Sequence, residues 1–389
     1  MRINKKLLIY IVLIIPFIKP QIINFIDTLN KINYVLKAIA AIYILKLYIS
    51  KILIAQKKCS KFLICIIIYN LLLIISTIIN KGNIVQCIGV SFGNIIIVML
   101  TEVMIFDDIK IMFKTYIFVL DLYFGINTIG LILFPGGLYN GINFLGIDNR
   151  FIFYYLPLLC FRFCYSYMEF NKIRIIDYII YIICLCTLIY TWSVSAMIGL
   201  MLYMILFVSI GRIKGIEKIF NLTTYSVSML ITNYLIVIQK IQYNFKGFLE
   251  NILHKDATFT QRTLIWEKVL TCIKKNIIIG NGYEYENVTI QKINGANHAH
   301  NNILMILYRG GILLFLTYIA MIGLVIKKMK KYRDKKIAKV ISFTILISFI
   351  MTIFDTFDFA LYFVIFQLGY YIEKIVVASK SKLLKEGEK

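Results

Sequence analysis

Residues 297–326 read NHAHNNILMILYRGGILLFLTYIAMIGLVI, so a polar segment with two histidines passes directly into an apolar run. The polar segment extends back to Gln239 and holds all three histidines of the chain, His254, His298 and His300. An apolar run of about 20 residues crosses the ~30 Å hydrocarbon core of a membrane as a helix. The stretch therefore predicts a long polar loop joined to a membrane helix, and functional residues are frequent on such loops.

Apolar runs of this kind recur along the 389-residue chain, of which 60% is hydrophobic. Because lipid satisfies no backbone polar group, each run is expected to be helical, which predicts an all-α, polytopic membrane protein with about twelve transmembrane helices. The first run follows three basic residues without a small-residue cleavage site, so it is interpreted as a retained helix. The predicted transmembrane helices are residues 7–26, 32–49, 62–79, 84–105, 112–134, 151–168, 175–192, 196–210, 219–238, 302–326, 338–354 and 359–377.

The distribution of basic residues predicts the orientation of the chain. With both termini in the cytoplasm, the inner segments carry 27 Lys and Arg residues and the short outer loops carry three, as the positive-inside rule requires. This accounts for the net charge of +23 without a nucleic-acid partner. The chain is accordingly divided into transmembrane helices 1–9 (residues 1–238), an extracytoplasmic loop (239–301), and helices 10–12 with a basic cytoplasmic tail (302–389).

Two helices are predicted within the extracytoplasmic loop. Residues 244–254 place apolar side chains on one face, which is typical of a helix lying on a membrane surface. In a second helix at residues 261–275, Arg262 and Trp266 are four residues apart and therefore share a face. Gly280-Asn281-Gly282 then predicts a tight turn.

Candidate functional residues gather where the loop meets the tenth transmembrane helix. His298, His300 and Asn301 lie at its outer end, and an imidazole exchanges protons near neutral pH. Only Glu284 or Glu286 could join the histidines as metal ligands, without a recognised spacing, so no metal site is predicted.

Three further arginines are candidates. Arg309 and Arg162 fall within predicted transmembrane helices, where an arginine either serves a functional site or extends to the membrane surface. Arg150 is the one basic residue of the outer loop before the sixth helix.

The order Arg262-x-x-x-Trp266, Gly280-x-Gly282, His300-Asn301-x-x-Leu304 and Gly311-Ile312 resembles the O-antigen ligase and repeat-unit polymerase superfamily. The predicted topology is also similar, with cytoplasmic termini and one large external loop between helices nine and ten. Pro16-Phe17-x-Lys19-Pro20 resembles the opening of capsule and exopolysaccharide polymerases. The motifs cover residues 262–312, and outside them the resemblance is one of topology.

The resemblance implies an inverting, metal-independent glycosyltransferase without a cofactor, in the bacterial cytoplasmic membrane. Its substrates are expected to be undecaprenyl-diphosphate-linked oligosaccharides, joined at the outer face in capsule, exopolysaccharide or O-antigen synthesis. Flippase and chain-length regulator proteins are implied as partners beside membrane lipid. A ligase that transfers a finished glycan to another acceptor is the near alternative. A flippase without chemistry is the second, although transporters usually place polar residues at mid-bilayer with repeat symmetry.

Under this interpretation the candidate residues take specific roles. Guanidinium groups bind phosphates in bidentate fashion, so Arg262, Arg150 and Arg309 are expected to hold the diphosphate. His300 is the expected general base, with His298 left open as an alternative. Asn301 joins the set of substrate-binding residues. Trp266 either stacks on a sugar or packs in the protein.

Overall fold

The computed structural model describes residues 4–55, 59–209, 221–251, 261–356 and 360–386. These ranges are helical apart from turns, and their only β-structure is a pair of isolated bridges in the loop at residues 139–146. The all-α class is confirmed. In chain order the helices are α1 (Lys5–Ile14), α2 (Asp27–Tyr48), α3 (Lys61–Ile79), α4 (Ile84–Asp107), α5 (Ile109–Leu133), α6 (Ile152–Phe170), α7 (Ile175–Tyr190), α8 (Val194–Val208), α9 (Leu222–Asn233), α10 (Lys246–Asn251), α11 (Arg262–Lys275), α12 (Glu286–Lys292), α13 (Asn302–Met329), α14 (Lys336–Phe354), α15 (Ala360–Tyr370) and α16 (Ile372–Glu386).

The helices confirm a polytopic membrane protein. Within the described residues, six helices are long and apolar enough to cross a membrane, or seven if the bent pair α15 and α16 forms one span. Shorter apolar helices occupy α7, α8 and residues 222–238. The apolar runs and the helices coincide closely, while the total of twelve spans stays a prediction.

Two of the predicted spans are interrupted. The run at residues 7–26 is helical only to Ile14 in α1, and Pro16 and Pro20 follow. Proline lacks the amide hydrogen that continues a helix, which explains the early end. The run at residues 359–377 is divided between α15 and α16, whose axes differ by 64°.

The extracytoplasmic loop predicted at residues 239–301 is largely helical. The helix predicted at residues 261–275 is α11, and its buried side chains Ile265, Trp266 and Val269 pack with the first turns of α13 in a small second core. The helix predicted at residues 244–254 is described only as far as α10, and His254 lies outside the described residues. The loop is thus packed onto the bundle through α11.

The turn at residues 276–283 docks into a break in α13. Gly311 has a φ of +61° and ψ of −159°, which interrupts the helix. The amide of Ile312 then donates to the carbonyl of Ile277 at 2.8 Å. A Cβ atom on Gly311 would lie 2.4 Å from the carbonyl oxygen of Ile278, so only glycine fits this position. The two glycine motifs of the sequence therefore meet each other in space.

Arg162 belongs to a buried ion-pair network and does not serve the cavity described below. Its guanidinium donates to Asp121 and to Asp177, the latter at 2.8 Å, and Arg174 also pairs with Asp177 at 3.0 Å. Its side chain is 9% exposed and is paired within the protein. A buried arginine with two carboxylate partners is a structural element of α5, α6 and α7.

Candidate active site

A cavity with a volume of about 470 Å³ lies where helix ends meet the loop before α13. Its wall is drawn from chain segments far apart in sequence: the segment between α1 and α2, the start of α4, the turn before α6, the start of α11, the loop before α13 with the first turns of α13, and the residues after α14. The residues that line it are Gln21, Asn24, Phe25, Gln86, Ile147, Asn149, Arg150, Arg262, Gly282, Tyr283, Glu284, Glu286, Thr289, Asn297, His298, His300, Asn302, Met305, Tyr308, Arg309, Asp355 and Thr356.

The cavity brings together five of the predicted site residues and excludes two. Arg150, Arg262, His298, His300 and Arg309 all line it, although 158 residues and several helices lie between Arg150 and Arg309. Neighbouring sequence motifs alone could not specify this convergence. It results from the packing of α6 against α14, and of α13 against both α14 and α11.

Trp266 and Asn301 are corrected from substrate contacts to structural residues. Trp266 is 1% exposed and its indole N–H donates to the carbonyl of Ala299 at 3.0 Å, between the two histidines. Asn301 is fully buried, and its carboxamide donates to Asn233 at 2.7 Å and caps α13. Both side chains make their hydrogen bonds within the protein. They hold the histidine segment in place and leave no surface for a sugar.

The three arginines of the cavity differ in whether an acidic side chain pairs with them. Arg150 Nε lies 3.4 Å from Asp355, and its Nη2 lies 3.2 Å from His298 Nε2. Arg309 stacks on the ring of Tyr283, 4.2 Å from guanidinium carbon to ring centroid. Neither Arg309 nor Arg262 has a hydrogen-bond or salt-bridge acceptor among the residues that the structure describes. Unpaired guanidinium groups in a cavity favour an anionic ligand.

Burial and charge keep His298 neutral. Burial, followed by His300 and the nearby arginines, lowers the pKa of His298 to about 2. Its Nδ1 accepts the backbone N–H of His300 at 3.2 Å, and its Nε2 faces the Arg150 guanidinium. A neutral imidazole has one acceptor nitrogen, so with Nδ1 accepting from His300 the ring has no second lone pair for a substrate proton.

His300 is neutral as well but is differently placed. Its pKa is lowered to about 4, chiefly by burial, with Asp355 opposing the shift and Arg262 and Arg150 adding to it. Within the part of the chain that the structure describes, its Nδ1 has no hydrogen-bond partner, and it lies 3.9 Å from Asp355 Oδ1. The residue has a φ of +47°, a left-handed conformation that is uncommon outside glycine. His300 is thus a neutral imidazole beside a carboxylate, which suits proton acceptance.

Asp355 is the main site residue that the sequence motifs do not contain. It follows the last residue of α14 and lies within ion-pair distance of Arg150, His298 and His300. A signal for it does exist, since it is an acidic residue between the apolar runs 338–354 and 359–377, on the predicted outer side. Only the tertiary structure brings it beside residues 55 positions earlier in the chain.

Glu284 and Glu286 are engaged elsewhere. Glu284 accepts a hydrogen bond from Tyr308 at 2.5 Å and pairs with Lys292, while Glu286 accepts from Asn297 at 3.1 Å. The acidic neighbour of the histidines is instead Asp355, and the three residues have ligand atoms within 4.8 Å of one another. A cation on His298 Nε2 would face the Arg150 guanidinium at 3.2 Å. The set therefore fits a hydrogen-bonded acid–base group better than a metal site.

Comparison with known families agrees with the motifs. A family model described as O-antigen ligase matches residues 179–319, a segment that includes Arg262, both cavity histidines and Arg309 but not Arg150 or Asp355. No curated protein matches the chain. The match supports a function of the O-antigen ligase or polymerase type in general. Over residues 179–319 this membrane protein therefore resembles the O-antigen ligases, as the order of its motifs predicts.

Proposed function

We propose that this protein is a glycosyltransferase that joins lipid-diphosphate-linked oligosaccharide repeat units into a polysaccharide at the outer face of the cytoplasmic membrane. The observation that carries the proposal is the cavity, in which Arg262 and Arg309, two guanidinium groups without acceptors among the described residues, accompany a neutral His300. A diphosphate leaving group would supply the negative charge that pairs with these two arginines. Arg150, already paired with Asp355, adds a third cation.

The diphosphate is expected to bind through its oxygens to the arginines. A planar guanidinium donates two parallel hydrogen bonds to phosphate oxygens, which also orients the group. The electron pair of the glycosidic C–O bond remains on the diphosphate when that bond breaks, and the nearby positive charge stabilises it. Binding thus places the anomeric carbon in the cavity, with the leaving group against Arg262 and Arg309.

His300 is the proposed general base. The acceptor hydroxyl oxygen attacks the anomeric carbon on the side opposite to the diphosphate, which inverts the configuration. Its proton passes to His300, and Asp355 stabilises the imidazolium that forms. Bound diphosphate offsets the charges of Arg262 and Arg150, which lower the pKa of His300 in the free protein. Substrate binding is therefore expected to make His300 a stronger base.

Two observations support the outer location of the cavity. Beyond its break at Gly311, α13 continues for 18 residues to Met329, which corresponds to about 27 Å of helix. The cavity lies at the residues of α13 before this break, and the basic residues 327–336 lie at the other end of the helix. Since basic residues favour the cytoplasmic side, the cavity would face outward.

The test is reconstitution of the purified full-length protein with lipid-linked repeat units isolated from cells that lack it. We expect longer lipid-linked products in the presence of EDTA, and none with Arg262→Ala. Arg262→Lys should restore only part of the activity, because a point charge does not reproduce the planar fork.

Three outcomes would change the assignment. Transfer only to a different acceptor, with no self-extension, would indicate a ligase. Movement of the lipid-linked unit across vesicles without a new glycosidic bond would indicate a flippase. Loss of wild-type activity with EDTA would assign His298, His300 and Asp355 to a metal.

A further inference from the structure

Asn302 is a buried polar side chain without a partner in the wall of the cavity. It is 0% exposed, and neither its Oδ1 nor its Nδ2 makes a hydrogen bond to any residue that the structure describes. The residue lines the same cavity as His300 and Arg309. Buried carboxamides normally bond both atoms, and an unpaired one destabilises the folded state. The two unpaired atoms therefore point to a ligand.

The neighbouring asparagine shows that this is not a consequence of the local backbone. Asn301 uses its whole carboxamide, since Oδ1 accepts from the Leu304 amide and Nδ2 donates to Asn233 and to the Ile353 carbonyl. These bonds fix the start of α13. Asn302, the first residue of the helix, is consequently held on a rigid element, as precise ligand binding requires.

The chemistry of a carboxamide restricts what the ligand can be. It offers one acceptor and two donor hydrogens side by side in a plane. A phosphate has only acceptor atoms and would leave Oδ1 unpaired. A secondary acetamide has its N–H and C=O on opposite sides, as in a trans peptide, so it reaches one atom at a time. Two adjacent ring hydroxyls satisfy both atoms, because each hydroxyl can donate or accept.

We propose that Asn302 binds a pair of adjacent hydroxyl groups on the sugar that lies beside His300. This inference rests on the proposed function, in which a diphosphate-linked glycan occupies the cavity. One hydroxyl donates to Oδ1 and the other accepts from Nδ2. Asn302 thereby selects the sugar at the reacting bond, whereas Arg262 and Arg309 hold the diphosphate that all such substrates share.

The experiment measures the binding of two probes to the purified full-length protein. One is undecaprenyl diphosphate without sugar, and the other is the lipid-linked repeat unit isolated from cells that lack the protein. Asn302→Leu should weaken binding of the second probe about 10- to 100-fold and leave the first unchanged. It should raise KM more than it lowers kcat. Asn302→Asp should retain most of the affinity, since both hydroxyls can donate to a carboxylate.

Each other result would overturn the proposal. Unchanged binding of the repeat unit by Asn302→Leu would remove the contact, and equal loss for both probes would indicate a structural role. Failure of Asn302→Asp, with its melting temperature unchanged, would identify a ligand group other than a hydroxyl pair. A wild-type protein that binds neither probe would instead reject the proposed function itself, which distinguishes the two failures.

Discussion

At the scale of single residues, the two histidines of the cavity have different surroundings. The one lone pair of neutral His298 accepts from the His300 amide, whereas among the described residues the Nδ1 of His300 has no hydrogen-bond partner and lies beside Asp355. This asymmetry favours His300 as the base, a choice that the spacing of the two residues leaves open. Of the two histidines in this segment, only His300 is then needed to accept a proton.

The first prediction compares the two histidines directly. Replacement of a general base typically costs ~10²–10⁴ in rate, so His300→Ala should lower turnover by that factor. His298→Ala should be milder, because its nitrogens already face donors. Turnover of purified variants on the isolated lipid-linked repeat unit measures both, with His254→Ala as a control expected to be near wild type. An inactive His298→Ala beside an active His300→Ala would exchange the two roles.

The second prediction concerns pH. Because the pKa of His300 in the free protein is about 4, kcat/KM should fall only as the pH drops through about 4, where the imidazole becomes protonated. Arg150 lowers this pKa, so Arg150→Gln should raise it and move the acidic limb to higher pH. The kcat/KM of the Arg150→Gln variant, measured from pH 3.5 to 8 (roughly the span over which His300 titrates), tests this shift of the His300 pKa. A wild-type limb near pH 6.5 would contradict the buried, neutral imidazole.

At the scale of elements, the docked turn at residues 276–283 positions Arg309. The amide of Gly282 donates to the Arg309 carbonyl at 2.9 Å, and the hydroxyl of Ser76 donates to the same carbonyl at 2.8 Å. The break at Gly311 leaves that carbonyl free for them. The glycine motifs thus act on the cavity indirectly, through the backbone of α13.

The third prediction uses two glycines of the same loop with nearly the same backbone. Gly280 has a φ of +78°, and a Cβ there would lie 2.6 Å from the backbone of Arg309 and Gly310. Gly295 has a φ of +80° and open space around it. Both alanine variants carry a left-handed residue, at a cost of about 1–3 kcal/mol. Only Gly280→Ala should also displace Arg309 and lose glycan transfer, and equal activity of the two variants would exclude this positioning role.

At the scale of the whole molecule, the fourth prediction concerns orientation. Asn287 is exposed on α12 beside the cavity, and Asp334 is exposed between α13 and α14 in the basic segment. In a protein whose eight cysteines have been replaced, Asn287→Cys should react with a membrane-impermeant thiol reagent in intact cells, and Asp334→Cys should react only after lysis. The reverse pattern would place the cavity in the cytoplasm.

The order and extent of the helices are largely contained in the sequence. Apolar runs predict helices wherever about 20 residues must cross lipid, because the backbone has no other way to satisfy its hydrogen bonds there. The α11 helix and the glycine turn after it were predicted from equally local patterns. The breaks differ in this respect: prolines mark the end of α1, whereas no proline lies at the 64° bend between α15 and α16.

The site residues also fall into those that the sequence predicts and those that only the tertiary structure brings together. The motifs contain Arg262 and His300, which lie in one continuous polar segment, and Arg309 is recognisable as a charged residue within an apolar run. The burial of Trp266 and the convergence of Arg150 and Asp355 on the histidines were decided by the tertiary structure alone. Periodicity reports which face of one helix is apolar, whereas contact between residues on α6, α13 and α14 depends on how separate helices pack. Composition and spacing carry no record of that packing.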